Sequence, residues 1–284
     1  MQTISTQYGD LIPQYTDDNL RKREILPVEY HASGTVKSVP LEKQTLFSTS
    51  AGDIPGELIS FHENGTINRI FPLNGKLSGY WSQDDEAGLA KPLTLTTPIG
   101  LVRAKVLSVS FYDNRNLRSL TLWPGETLSV PTPVGPVEAR IGVSFTPEGK
   151  VRSLEPAKPV TVPTRAGEMT AYDPDAVGVN GDANSLVFDE DGKVRQVITT
   201  LTKLTVVHPD GHTHCHIPET RESLCSEAEQ EVVPMTVTFS EDEVSVSTDP
   251  DVAPLVLPRE GHVFFAEPHL PQLANPFVEL HCSV

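Results

Sequence analysis

Five stretches of the chain place apolar and polar residues in the same order: VEYHASGTVKSVP (28–40), ISFHENGTINRIF (59–71), VSFYDNRNLRSLT (109–121), VSFTPEGKVRSLE (143–155) and LVFDEDGKVRQVI (186–198). Each carries an aromatic at a reference position: Tyr30, Phe61, Phe111, Phe145 and Phe188. Four places on stands Gly34, Gly65, Gly149 or Gly192, and in the third copy Arg115. Six places on comes Val36, Ile67, Leu117, Val151 or Val194, and nine places on Val39, Ile70, Leu120, Leu154 or Val197. The pattern predicts a β-hairpin: an apolar strand, a polar turn closed by glycine at positive φ, and a second β-rich strand. The apolar positions of that second strand are three apart, which a regular strand would put on opposite faces, so a bend or bulge is expected there.

The spaces between hairpins repeat as well. TTPIG (96–100) and PTPVG (131–135) precede the next aromatic, and STSAG (48–52) and PTRAG (163–167) are degenerate versions. Reference aromatics lie 31, 50, 34 and 43 residues apart, so a base unit has taken up insertions. Units of this size bury their apolar faces by stacking on one another. The fold class expected is all-β, a tandem hairpin array forming an open antiparallel meander or a β-solenoid, with a β-propeller or sandwich as alternatives. The unit is similar in kind to MORN-like hairpin repeats over 26–218. It lacks their Tyr-Gly spacing, and the likeness implies no ligand.

TVVHPDGHTHCHIP (205–218) aligns without a gap on VSFTPEGKVRSLEP (143–156), which makes it a sixth copy. Its turn matches through Pro209, Asp210 and Gly211. His212 and His214 fall on the polar positions of Lys150 and Arg152, and His216 falls where every other copy keeps an aliphatic residue. Strand spacing would put His212, His214 and His216 on one face, a donor set suited to Zn, Ni or Cu. A bend would turn His216 away. The pair would then need another ligand, from His208, the acids after Glu219, or His262 and His269. Cys215 faces the other way.

Two insertions interrupt the array. In the first (71–88), Tyr80 and Trp81 stand beside Asp84, Asp85 and Glu86, which would suit a sugar or a cation. In the second (171–185), Asp173, Asp175, Asn180, Asp182 and Asn184 supply hard oxygens of the kind Ca²⁺ takes, without EF-hand spacing. Were the two insertions to meet, they would form a pocket, and an enzyme with its site there is one alternative. Polar residues five and seven places after each aromatic (Thr35, Thr66, Asn116, Lys150, Lys193; Lys37, Asn68, Arg118, Arg152, Arg195) read as a solvated face with a basic column.

Composition narrows the rest. With 25 prolines and few aromatics, the chain is turn-rich. A net charge of −16 argues against nucleic acid, which needs basic surface. Acidity is concentrated in residues 205–284, with 14 acidic and two basic side chains. Three cysteines make no disulfide framework for this length, and no signal-like or membrane-spanning run is present, so a cytoplasmic protein away from membranes is expected. Residues 1–25 read as an N-terminal extension, 26–218 as the array, and 219–284 as an acidic, Pro-punctuated end cap with a short helix within 218–233. No catalytic motif stands out. The reading that follows is a non-enzymatic β-repeat protein with a binding or scaffold surface and a protein partner; the alternative is a metal-binding protein using His208–His216.

Overall fold

The computed structural model describes residues 3–17, 20, 21, 24–178, 181, 183–223, 226–249 and 251–270. Their regular structure is strand, joined by turns and links, with a single helix, Gln83–Leu89, among the described residues. Consecutive hairpins pair antiparallel, so the open meander is the form adopted, rather than a solenoid or a propeller. The chain divides into two compact units: Met1–Pro131 with Glu138–Leu154 and Val177–Ala183, and Thr132–Val137 with Glu155–Ala176 and Asn184–Val284.

In the first unit the hairpins centred on Tyr30, Phe61, Phe111 and Phe145 lie side by side in chain order. One cross-strand row runs through them: Val39 opposite Ile59, Ile59 opposite Ile70, Ile70 opposite Val109, Val109 opposite Leu120, and Leu120 opposite Val143. All six side chains are fully buried. Each stabilises the fold by about 1.5–3 kcal/mol through loss of apolar surface to water. Within the hairpins at Phe61 and Phe111 the residue nine places after the aromatic thus meets the one two places before it.

A β-bulge makes this register possible. Phe61 faces Ile67 but Ser60 faces Arg69, and Phe111 faces Leu117 but Ser110 faces Ser119. The extra residue is the one seven places on, Asn68 or Arg118, and in the first and fifth hairpins Lys37 and Arg195. The bulge returns the positions six and nine places on to one side of the sheet. It also takes the seventh position out of the regular alternation, so the polar columns expected from the sequence are not one straight stripe. Thr66 is buried and Arg118 lies over the Tyr112 ring, 5.9 Å from its centroid. The turn glycines adopt φ near +80° (Gly34 83°, Gly65 80°, Gly149 85°, Gly192 80°), and Arg115 takes φ 71° in their place.

Neighbouring hairpins are tied by the residue after the aromatic. His31 donates its Nε2–H to the Phe61 carbonyl at 3.0 Å and His62 to the Phe111 carbonyl at 3.0 Å; Tyr112 donates its hydroxyl to the Phe145 carbonyl at 2.7 Å. The Pro-containing links form two-stranded ribbons closed by a Thr-x-x-Gly turn. The threonine hydroxyl donates to the glycine carbonyl at Thr49–Gly52 (2.7 Å), Thr97–Gly100 (2.7 Å), Thr132–Gly135 (2.5 Å) and Thr164–Gly167 (2.6 Å). Thr6–Gly9 makes the same turn (2.8 Å) between strands Ile4–Thr6 and Gly9–Leu11, so the N-terminal extension begins with a repeat element. The residue after each threonine rests on a hairpin turn. Gln7 donates to the Gly65 carbonyl and Ser50 to the Arg115 carbonyl, while Pro98 lies against Gly149 and Pro133 against Gly192.

The described part of the second insertion in this unit lies on the sheet. Gly181 donates to Thr121 Oγ1 at 2.9 Å, and a Cβ on Gly142 would stand 2.5 Å from the Gly181 Cα, so both positions need glycine.

The second unit corrects the order of the array. Strand Val194–Thr199 pairs with Met235–Phe239, and that strand with Glu243–Ser247, and this unit has a buried row of its own in Leu186, Val197, Val237 and Val246. The hairpin that follows the one at Phe188 in the sheet is therefore the one at Phe239. The histidine hairpin stands in a separate three-stranded sheet, with strand Thr202–Val207 between Thr213–His216 and Val263–Pro268. The helix expected within 218–233 is instead a hairpin, Glu219–Ser223 with Ser226–Val233. Alternating polar and β-branched residues at its ends pair across the strands, and Arg221 sits 3.5 Å from Glu231. The described C-terminal residues extend both sheets, with Leu255–Pro258 pairing with Glu243–Ser247.

Replacing Tyr112 by Phe removes one inter-hairpin tie and leaves the Phe145 carbonyl without it. Urea unfolding is expected to show a loss of about 1 kcal/mol. The same change at Tyr30, an exposed edge position, is expected to cost less than about 0.5 kcal/mol.

Candidate functional site

The three-stranded sheet brings histidines together by register. Val207 pairs with Val263, so His208 and His262 stand side by side just beyond the last pair. On the other edge Val206 pairs with His214 and Leu204 with His216, with no bulge. His214 and His216 thus share a strand face with the buried Leu204 and Val206. Without the extra residue, His216 meets the residue three before the reference position instead of two. The gapless alignment therefore does not put it in the aliphatic row.

His208 is central. Its ring centroid lies 4.9 Å from that of His214 and 4.9 Å from that of His262, each pair at 73°. His262 Nε2 stands 3.2 Å from His208 Nδ1. His208 Nε2 and His216 Nε2 are buried and have no hydrogen-bond partner among the described residues. Burial, and after it the neighbouring His214 and His208, push the His216 imidazole below its ordinary value, so it stays neutral at neutral pH. His212 is exposed at the turn, where its amide N–H bonds the Asp210 carboxylate. His269 lies at the far end of the sheet, its N–H bonded to the Leu201 carbonyl. Cys215 is exposed and unpaired. Of the sequence candidates the fold gathers His208, His214, His216 and His262, and leaves out His212 and His269. Among the described residues no group of three or more His, Cys, Asp or Glu side chains stands where it could hold a metal ion.

The acids of the first insertion have structural partners. Glu86 is buried and receives both arms of a guanidinium fork, Arg21 Nε to Oε2 and Nη2 to Oε1 at 2.7 Å each. The Gly75 N–H reaches Oε1 at 2.9 Å and the Trp81 indole N–H reaches Oε2 at 2.7 Å. Arg21 also grips Glu57 at 2.8 Å, and Glu57 accepts the Asn74 N–H. Burial alone would raise the Glu86 carboxyl. The Arg21 fork, the indole and the Gly75 amide outweigh it and hold the group below the usual carboxylate range. Asp85 forms a capping box with Ser82 at the start of Gln83–Leu89, and Asp84 and Tyr80 are exposed. Arg21 was invisible to sequence reasoning: it sits 65 residues from Glu86 in a stretch without pattern.

In the second insertion Asp173 spends an oxygen on the Asp175 N–H at 3.0 Å, an Asx turn, and Asn184 is buried. Asn180 and Asp182 lie outside the described residues. No protein-family model matches the chain, and neither the curated proteins nor the solved structures hold a match. Among the described residues no helix is long and apolar enough to cross a membrane.

Glu86→Gln would leave Arg21 with half its counter-charge in a buried site, for an expected loss of about 3 kcal/mol in urea unfolding. Acid sensitivity should change with it. The folded carboxyl titrates below the unfolded one, so its stabilisation is complete above the ordinary glutamate range and is lost as pH falls through the folded value. Stability measured between about pH 5 and 3 is expected to fall less steeply in the variant than in the native chain.

Proposed function

We propose that this protein is a non-enzymatic, cytoplasmic hairpin-repeat scaffold that binds an extended segment of a protein partner along its turns. The observation that supports this reading is a pair of cavities in the first unit built by equivalent parts of successive repeats. One, of about 190 Å³, is lined by Tyr8, Ser48, Thr49, Ser50, Ile67, Phe111 and Arg115. The other, of about 410 Å³, runs along Ser50, Thr96, Thr97, Pro98, Asn116 and the turn Thr146–Gly149. Each lies between Thr-x-x-Gly turns on one side and hairpin turns on the other, and Ser50 borders both. Hydroxyl and amide side chains spaced by the repeat suit the main-chain groups of an extended peptide, and concave repeat surfaces are where such arrays carry their ligands.

Selection of displayed random peptides on the tag-free protein tests the idea, with Ser50→Trp as the blocking variant. The equivalent turn position holds Gln7, Pro98, Pro133 or Arg165 elsewhere, so the turn accepts varied and large side chains. Selected peptides are expected to bind the variant about tenfold or more weakly, as loss of a central contact would give, with circular dichroism checking that the variant stays folded without the Ser50–Arg115 hydrogen bond. Equal binding to both proteins would remove the groove from consideration.

A further inference from the structure

His208 occupies the position that ties hairpins together in the main sheet. Like His31 and His62, it follows the reference residue and opens the turn, with its N–H bonded to the His212 carbonyl as His31 N–H is to Thr35 and His62 N–H to Thr66. In those two hairpins the ring Nε2–H ends on the carbonyl of the next strand at 3.0 Å. The histidine hairpin has left that sheet, and no such carbonyl meets His208. Its Nε2 is buried without a hydrogen-bond partner among the described residues, while its Nδ1 shares a hydrogen bond with His262 Nε2 at 3.2 Å. A buried polar atom without a partner costs about 1–3 kcal/mol, so the fold tolerates here something it satisfies elsewhere.

The spacing of the rings fits a shared ion. Two nitrogens bound to one tetrahedral zinc at about 2.0–2.1 Å are about 3.3 Å apart. His262 Nε2 and His208 Nδ1, hydrogen-bonded to each other here, stand 3.2 Å apart, so an ion between them would replace that bond and leave His208 Nε2 outside the coordination. Rings on one such ion have centroids roughly 5 Å apart. His208 has two neighbours at 4.9 Å, His214 and His262. The strands that carry them are hydrogen-bonded along their length, so the backbone holds this spacing. As placed, the rings form no group able to hold a metal ion, so the site requires them to turn; His214 is exposed and turns at little cost. Neutral imidazoles without a carboxylate favour Zn²⁺, Ni²⁺ or Cu²⁺ over Ca²⁺ or Mg²⁺, which take oxygen.

We infer that His208, His262 and His214 form a divalent transition-metal site that staples the Val263–Pro268 strand to the histidine hairpin, with water completing the coordination. The ion joins positions 54 residues apart in the chain, so it stabilises the second unit by closing a long loop. His212 takes no part.

Titration calorimetry of tag-free protein with zinc chloride tests the site, with cobalt(II) absorption as a second readout. One equivalent of zinc is expected, with a tetrahedral cobalt spectrum and a thermal midpoint raised by zinc. His262→Ala and His214→Ala are each expected to weaken binding about tenfold or more, as loss of a ligand would, while His212→Ala binds as the native chain does. Circular dichroism of each variant separates loss of the site from loss of the fold. If His208→Ala does not fold, the other two variants decide. Weak binding of several equivalents that falls equally with His212→Ala would mark a solvent-exposed histidine tract and overturn the proposal, as would no binding at all.

Discussion

The rest of the architecture depends on one registration, seen at Phe61, Phe111 and Phe188: the residue two before the aromatic faces the residue nine after it. That pairing aligns Val39, Ile59, Ile70, Val109, Leu120 and Val143 into a single buried row. A slip of one residue would turn the whole aliphatic set of a strand to the other face. The bulge seven places after the aromatic is what prevents it. Gly at positive φ and one unpaired residue together convert the three-residue spacing of the apolar positions into one face. Arg115 shows how firmly the turn is imposed. It holds φ 71° without glycine, with its carbonyl taken by Ser50 and its guanidinium on Gln7 at 2.9 Å.

Stacking order is held by contacts made at the turns. His31, His62 and Tyr112 reach the next hairpin, and Gln7, Ser50, Pro98 and Pro133 rest on turns further along. None of these contacts depends on the length of chain between hairpins. The spacing between aromatics can therefore range from 31 to 50 residues without disturbing the row. The first insertion exploits that freedom and brings its own anchor, Glu86, which Arg21 holds through a bidentate charge-assisted pair.

What could be read in the chain was what is local. The glycines, the three-residue spacing and the TTPIG-type links identify hairpins, the bulge and ribbons, because each is dictated by backbone geometry within a few residues. Pairing across long separations left no such mark. Arg21 and Glu86 meet through folding alone. Thr6–Gly9 leaves no mark of its own, because a single Thr-x-x-Gly is too short to stand out beside TTPIG, PTPVG and their two degenerate relatives. The same limit explains the histidine segment. Its match to 143–156 correctly gives a hairpin with Gly211 at φ 87°. A hairpin's own residues do not say which strand lies beyond its edge. Here strand Val263–Pro268 does, and the hairpin at Phe239 pairs beside the one at Phe188 instead.

That change of neighbours is also what gives the histidines a chemistry the other hairpins lack. In the main sheet a histidine after the reference residue is consumed by a backbone carbonyl, and the bulge carries the following polar residue out of the regular alternation. In the three-stranded sheet the bulge is absent, so His214 and His216 stay on the face of Leu204 and Val206 beside His208. The antiparallel partner then delivers His262 from the opposite edge, at 3.2 Å from His208. Side chains that read as two polar substitutions and one core anomaly become neighbours once the ladder is straight. The composition of the segment matters less than the missing extra residue, because restoring a bulge would shift His214 and His216 off this face and separate them from His208.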